Sequence, residues 1–181
     1  VELSFLLDWS ERQSQRKCDN LCRGLKPSTV KPRSDEDIYR LIQCLKQQDS
    51  LHLALSFDLE WFKEHPKENL VHLNEILLTQ SISSLNLSTL YIGDAGIATL
   101  SDALKVNHSI TTIDLSFNRI DVVGTASLSD VLKVNQTIKS IGLSNNFMAV
   151  VGAASFSDAL KVNQTITCID LSCNILGAVG I

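Results

Sequence analysis

Serine stands at 88, 116, 144 and 172, always 28 residues apart. A hydroxyl attacks a substrate only when a base beside it takes its proton. No histidine or acid accompanies the serine through all four copies. His52, His65, His72 and His108 are scattered over unrelated segments and lack metal-site spacing. Cys168 and Cys173 lie five apart, but two thiols are too few ligands for a metal. Nothing resembles a phosphate loop, a GxGxxG turn or a paired-carboxylate site, and Gly93-Asp94-Ala95-Gly96 is part of a repeat rather than a nucleotide cradle. The serines therefore read as scaffold. No enzyme activity, catalytic residue, cofactor or metal is expected. The chemistry that remains is adhesive. Tyr91, Phe117, Arg119 and Phe147 are of the types that anchor interfaces. With Asp114, Lys139, Asn145 and Asp170 they make the set of partner-binding candidates.

These residues are positioned by a repeating unit. Units begin at Ile82, Ile110, Ile138 and Ile166, and residues 110–137 and 138–165 agree at 18 of 28 positions. The first, fourth, sixth and eleventh positions are aliphatic or Met, as in Ile110, Ile113, Leu115 and Ile120. The alternation of Ile113 and Leu115 predicts a short strand with one buried face. Asn118, Asn146 and Asn174 follow at the ninth position. There a buried amide can satisfy turn groups that no ladder reaches, in its own coil and the next. Leu90 replaces this residue in the first unit, so the asparagine ladder is expected to begin in the second. The period then changes: Gly124, Leu128 and Leu132 lie four apart, which predicts a helix packed on the strand layer. Glycine at the fifteenth position admits close approach of the helix start to the sheet. Asparagine at the twenty-sixth (Asn107, Asn135, Asn163) suits a left-handed helix end. One strand, turn, helix and return loop make one coil. A lone coil buries too little to offset backbone ordering of ~1–2 kcal/mol per residue, so coils must stack into a parallel sheet.

The spelling Ile110-x-x-Ile113-x-Leu115-x-x-Asn118-x-Ile120, followed by Gly124, Leu128, Leu132, Asn135 and Thr137, resembles the ribonuclease-inhibitor class of leucine-rich repeats, over residues 82–181. That class is shared by ribonuclease inhibitors, the receptor ends of NLR proteins and the Ran GTPase-activating proteins. The resemblance implies an α/β right-handed solenoid or horseshoe, with parallel strands on the concave face and helices on the convex face. The second, third, fifth, seventh and eighth positions would then face the concave side. The tenth (Tyr91, Arg119, Phe147, Ile175) would lie on the strand-end rim.

Units are expected at 82–109, 110–137, 138–165 and, shortened, 166–181, after a degenerate first repeat at 51–81. In that repeat Leu51–Leu55 reads as a strand, Leu59–Lys63 as a helical turn ended by Pro66, and Glu68–Thr79 as an amphipathic helix. Residues 1–50 read as a helical cap or a separate adaptor. Within them Lys26-Pro27 to Lys31-Pro32 marks a linker, and Ser34 begins a helix running through Gln48. The basic stretch Arg12, Arg16, Lys17, Arg23, Lys26, Lys31 and Arg33 reads as a solvated face. Because Gly180-Ile181 falls where another helix should begin, further repeats or self-association at that edge are expected.

With 181 residues, 44% hydrophobic and a net charge of −4, the chain can bury a core. A pI near 5.5 argues against nucleic acid as main partner. No apolar run reaches the ~18 residues of a membrane span. Five cysteines without framework spacing suggest reduced thiols and a cytoplasmic setting. The sequons at Asn86, Asn107, Asn135 and Asn163 are explained by the repeat rather than by glycosylation. The expected function is a non-enzymatic interaction module that holds a protein through its concave face and rim. The alternatives are a GTPase activator similar to the Ran activators, with a small GTPase as partner, and the sensor or autoinhibitory end of a larger NLR-like protein.

Overall fold

The structure is a computed structural model that describes residues 29–30, 53–56, 66–79 and 82–176. The described elements are β1 (Thr29–Val30), β2 (Leu53–Ser56), α1 (Pro66–Leu78), β3 (Ile82–Asn86), α2 (Gly93–Val106), β4 (Thr112–Asp114), α3 (Val122–Val134), β5 (Ser140–Gly142), α4 (Val150–Val162) and β6 (Cys168–Asp170). The strands form one parallel sheet in chain order. From β3 onward its register repeats the sequence period: Ser84, Thr112, Ser140 and Cys168 stand opposite one another. The ladder outruns these short strands. Leu87 N–H donates to Asp114 O (2.9 Å), Leu115 to Gly142 O (2.8 Å) and Leu143 to Asp170 O (2.8 Å).

Leu85, Ile113 and Ile141, in register across their strands, are at most 1% exposed. The helices close over them. Ile97, Leu100 and Leu104 of α2, Leu128, Val131 and Leu132 of α3, and Phe156 and Ala159 of α4 join Leu73, Ile76 and Leu77 of α1 in one continuous core. The 3.6-residue period returns these side chains to one stripe and places Asp and Lys on the other. Lys105, Lys133 and Lys161 pair with Asp102, Asp130 and Asp158, three residues earlier in each helix. Such exposed pairs are screened by solvent and add little to stability.

The structure corrects two of the expectations and shifts the start of a helix. The segment read as a linker contains β1, which pairs in parallel with β2, so the sheet begins one strand earlier than the repeats suggest. Pro66 is the first residue of α1, where its missing N–H would have had no intrahelical partner, so the helix expected from Glu68 begins two residues earlier. Asn107, Asn135 and Asn163 end their helices in extended backbone (φ −73°, −74° and −76°) rather than left-handed. Their amides instead reach the preceding coil. The Asn107 Nδ2 donates to Leu77 O (2.6 Å), that of Asn135 to Leu104 O (2.8 Å), and that of Asn163 to Leu132 O (2.8 Å). The helical cap, the linker's flanks, the Ser34–Gln48 helix, the Leu59–Lys63 turn and the seven basic residues from Arg12 to Arg33 lie outside the described residues. No described helix is long and apolar enough to cross a membrane.

Candidate functional site

After each strand the chain must turn toward the helix layer while keeping its sixth, ninth and eleventh residues inside. The ninth residue holds the turn. Asn118 Oδ1 accepts from Leu90 N and Ile92 N of the preceding coil (both 3.2 Å), and its Nδ2 donates to Leu87 O (2.8 Å). Asn146 does the same one coil on: it accepts from Asn118 N and Ile120 N (both 3.0 Å) and donates to Leu115 O (3.0 Å). Asn174 accepts from Met148 N (3.1 Å) and donates to Leu143 O (2.8 Å). Leu90, in the equivalent place, is a buried apolar residue.

With Asn118 and Ile120 buried, the residues on either side of Asn118 are turned outward. Phe117 and Arg119 both have φ of 58°, as Thr89 (64°) and Tyr91 (54°) do in the coil before. Asn145 (54°) and Cys173 (55°) repeat the eighth position, whereas Phe147 and Ile175 at the tenth are not left-handed. Left-handed backbone places Cβ near the following carbonyl, at about 1–2 kcal/mol for a residue other than glycine. Tyr91, Phe117 and Phe147 are each about half exposed (50%, 49% and 52%). The Arg119 guanidinium lies over the Tyr91 ring, 4.6 Å from its centroid. Backbone bonds stack these turns: Phe147 N–H donates to Ile120 O (2.8 Å), and Ile175 N–H to Met148 O (3.0 Å).

The strand face is built differently. Asn86, Asp114 and Asp170 occupy the fifth position, and each accepts the N–H of the serine two residues on, at 2.9, 2.9 and 3.0 Å. At Ser88 the hydroxyl adds a second bond, its Oγ donating to Asn86 Oδ1 (2.7 Å). Ser116 and Ser144, expected on the open face, are in fact buried at 8% exposure, and Ser144 Oγ donates to Ser116 Oγ (3.1 Å). Gly142 interrupts the row of acceptors. It stands in register between Asp114 and Asp170, and a Cβ there would lie 2.9 Å from Asp114 Oδ1. The Ser172 N–H and hydroxyl, aided by the Ser144 hydroxyl, hold the Asp170 carboxyl below the usual carboxylate range. Lys139 is exposed at the start of its strand, and Asn145 is half-buried beside Asn146. The eight candidates thus fall into two groups. Tyr91, Phe117, Arg119, Asn145 and Phe147 follow the strand-end turns, while Asp114, Lys139 and Asp170 lie on the strands or their approach.

A second polar cluster was not anticipated. Asp94 Oδ1 accepts from Asp121 N and Gly124 N, both at 2.9 Å, and Asp121 Oδ1 caps α3 through Val123 N (2.8 Å). Burial, then the Asp121 side chain, raise the Asp94 pKa. The Asp94 hydrogen bond and the Val123 N–H lower that of Asp121. No sequence motif marks this pair, because Asp94 and Asp121 hold different repeat positions. His108 is exposed and His72 half-buried. No group of three or more metal-ligating side chains gathers among the described residues.

The chain matches the family described as Leucine Rich repeat over residues 106–129 and 162–181. No curated protein sequence matches it. Among solved structures it is similar to the leiomodin-1 chain titled "Actin-Binding Site 2", with a TM-score of 0.52 and 20% identity over 59% of this chain and 65% of that one. The alignment therefore spans less than two thirds of the leiomodin chain. It is also similar to a tropomodulin C-terminal domain from Caenorhabditis elegans, with a TM-score of 0.56 and 14% identity over 62% of this chain and 71% of that one. At such identities the likeness is one of fold. The fold is that of an α/β leucine-rich-repeat domain.

Proposed function

We propose that the chain is a non-enzymatic protein-binding module whose partner sits on the strand-end rim and the adjoining strand face. The observation that carries the reading is the backbone of the rim. Phe117, Arg119 and Tyr91 hold large side chains in a conformation that favours glycine or asparagine, and all three are exposed. Such strain lowers stability, and the large side chains it carries are left half exposed at the rim, which is the pattern of a surface shaped for contact. The buried positions support the same reading from the other side, since they keep their type from coil to coil while the rim changes from Tyr to Arg to Phe to Ile.

The test is capture of partners from a cell extract by the parent, by Phe117→Ala/Arg119→Ala/Phe147→Ala, and by a helix-face control, Asp102→Ala/Asp130→Ala/Asp158→Ala. The rim variant should lose the parent's partners by on the order of tenfold or more, and the control should keep them. Equal capture by all three proteins would overturn the reading. Purified actin forms one arm, because the leiomodin-1 chain of similar fold carries an actin-binding title.

A further inference from the structure

In α2, α3 and α4 the lysine of the last turn is paired: Lys105, Lys133 and Lys161 each reach an aspartate. Arg119 is not. Among the described residues it has no ion-pair partner, and its Cζ lies over the Tyr91 ring, 4.6 Å from the centroid. The N–H donors of a guanidinium lie in its plane, at the edge, where they match a carboxylate in a two-pronged hydrogen bond that a cation–π contact does not use up. No carboxylate among the described residues pairs with that edge. Asp121 caps α3, Asp94 accepts from Asp121 N and Gly124 N, and Asp114 accepts from Ser116 N. On either side of Arg119 the rim is apolar and open, with Phe117 beside it and Phe147 one coil on.

We infer that this rim receives an acidic side chain carried on an apolar peptide segment. A Glu or Asp carboxylate takes the Arg119 edge, and its aliphatic or aromatic neighbours lie against Phe117 and Phe147. The inference rests on the protein-binding reading above and supplies the chemistry of the partner. Charge complementarity selects the occupant: an uncompensated cation set among apolar shoulders fits an acidic-hydrophobic segment better than a basic or purely polar one. A nucleic acid is disfavoured, because it needs several cations along a track, and the rim offers one.

The experiment is selection from a random peptide library displayed on phage, against the parent, Arg119→Lys and Arg119→Glu. Arg119 is exposed, so coincident thermal transitions should show all three folded. Peptides selected by the parent should carry Asp or Glu next to aliphatic or aromatic residues several-fold more often than the unselected library. Arg119→Lys should weaken that preference, and Arg119→Glu should replace it with Lys and Arg. A synthetic selected peptide should lose on the order of tenfold in affinity when its acid is changed to the amide. Oligothymidylate should not displace it. Selection without acidic enrichment, the same peptides with Arg119→Glu, displacement by oligothymidylate, or no selection at all would each overturn the inference. If the triple rim variant still loses its partners in the capture experiment, the rim stands as a binding surface and only its acidic preference fails.

Discussion

Asn163 is tied to Asn135 across neighbouring coils, its Nδ2 donating 2.9 Å to the Asn135 carbonyl, and Asn135 is tied in the same way to Asn107. This makes a second asparagine ladder where the helices end, complementing the one at Asn118, Asn146 and Asn174 where the strands end. Each coil is therefore pinned to its neighbour at both turns. The second ladder also accounts for three of the sequons. Asn107 and Asn135 have no exposed surface, and their amides are engaged on both sides, so neither can carry a glycan in the folded chain.

Asn135→Ala should accordingly be among the most destabilising single changes. It would strip partners from the Leu104 and Asn107 carbonyls and from the Thr137 and Ile138 N–H groups, all met by the Asn135 side chain at 2.8–3.0 Å. A loss of about 3–5 kcal/mol is expected, since each buried group left without a partner contributes about 1–3 kcal/mol and the site relaxes in part. Asn163→Ala, at a half-buried position, should lose less. Urea unfolding of both variants measures this, and a loss under about 1 kcal/mol for Asn135→Ala would contradict the ladder's role.

The sequence showed the period plainly, and with it the strands, the helix stripe and most of the core. A stacked coil has little freedom in what it buries, so Ile110, Ile113, Leu115 and Ile120 return almost unaltered. It was silent where a structure depends on what lies beside it. Thr29–Val30, flanked by Pro27 and Pro32, has the composition of a linker and becomes a strand by pairing with β2. Asn107 and its equivalents carry the residue type of a left-handed cap, but their acceptors lie 30 or 31 residues earlier in the chain. The rim was half readable. The period alone places Arg119 next to Tyr91, whereas the contact of one with the other occurs with left-handed backbone at both residues, which the period does not reveal.

That backbone gives a prediction with two readouts. Phe117→Asn relieves the steric penalty of φ 58°, because asparagine tolerates the left-handed region. It also removes a half-exposed ring. Stability should rise by roughly 0.5–1 kcal/mol, while partner capture should fall. If Phe117 served packing instead, the same change would lower stability, and thermal unfolding of the variant distinguishes the two outcomes.

The carboxylate pair between α2 and α3 predicts a dependence on pH. Burial and Asp121 raise the Asp94 pKa, so folding favours the protonated form of that group. Its stabilising contribution is full below the ordinary carboxylate range and is lost as pH rises through the raised value. Asp121 runs the opposite way. Its pKa is lowered, so its contribution is present above the ordinary range and lost on acidification. Asp94→Asn keeps an Oδ1 acceptor for Asp121 N and Gly124 N and adds an amide donor for the Asp121 carboxylate. The variant should melt above the parent at neutral pH, with the difference shrinking as the pH falls into the carboxylate range. A parent that melts higher at neutral pH would show that the pair is not in conflict.

Two glycines in the same repeat position should respond differently to alanine. In a helix, Gly→Ala ordinarily gains about 1 kcal/mol. At Gly124, however, the new Cβ would collide with Asp94 Oδ1, lie 2.8 Å from Ile120 Cγ2 and come within 3.2 Å of the Asp94 Cα, so backbone has to move. At Gly152 it would meet Met148 Cγ and Thr125 Cβ and Cγ2 at 3.3 Å. Met148 is flexible, and a shift of a few tenths of an ångström suffices. Gly124→Ala should therefore lose about 1–3 kcal/mol, and Gly152→Ala should stay within about 1 kcal/mol of the parent. Parallel denaturant titrations read the difference. Equal losses at the two sites would mean that both glycines serve the helix–sheet approach suggested by the sequence, rather than contact between successive coils at Asp94.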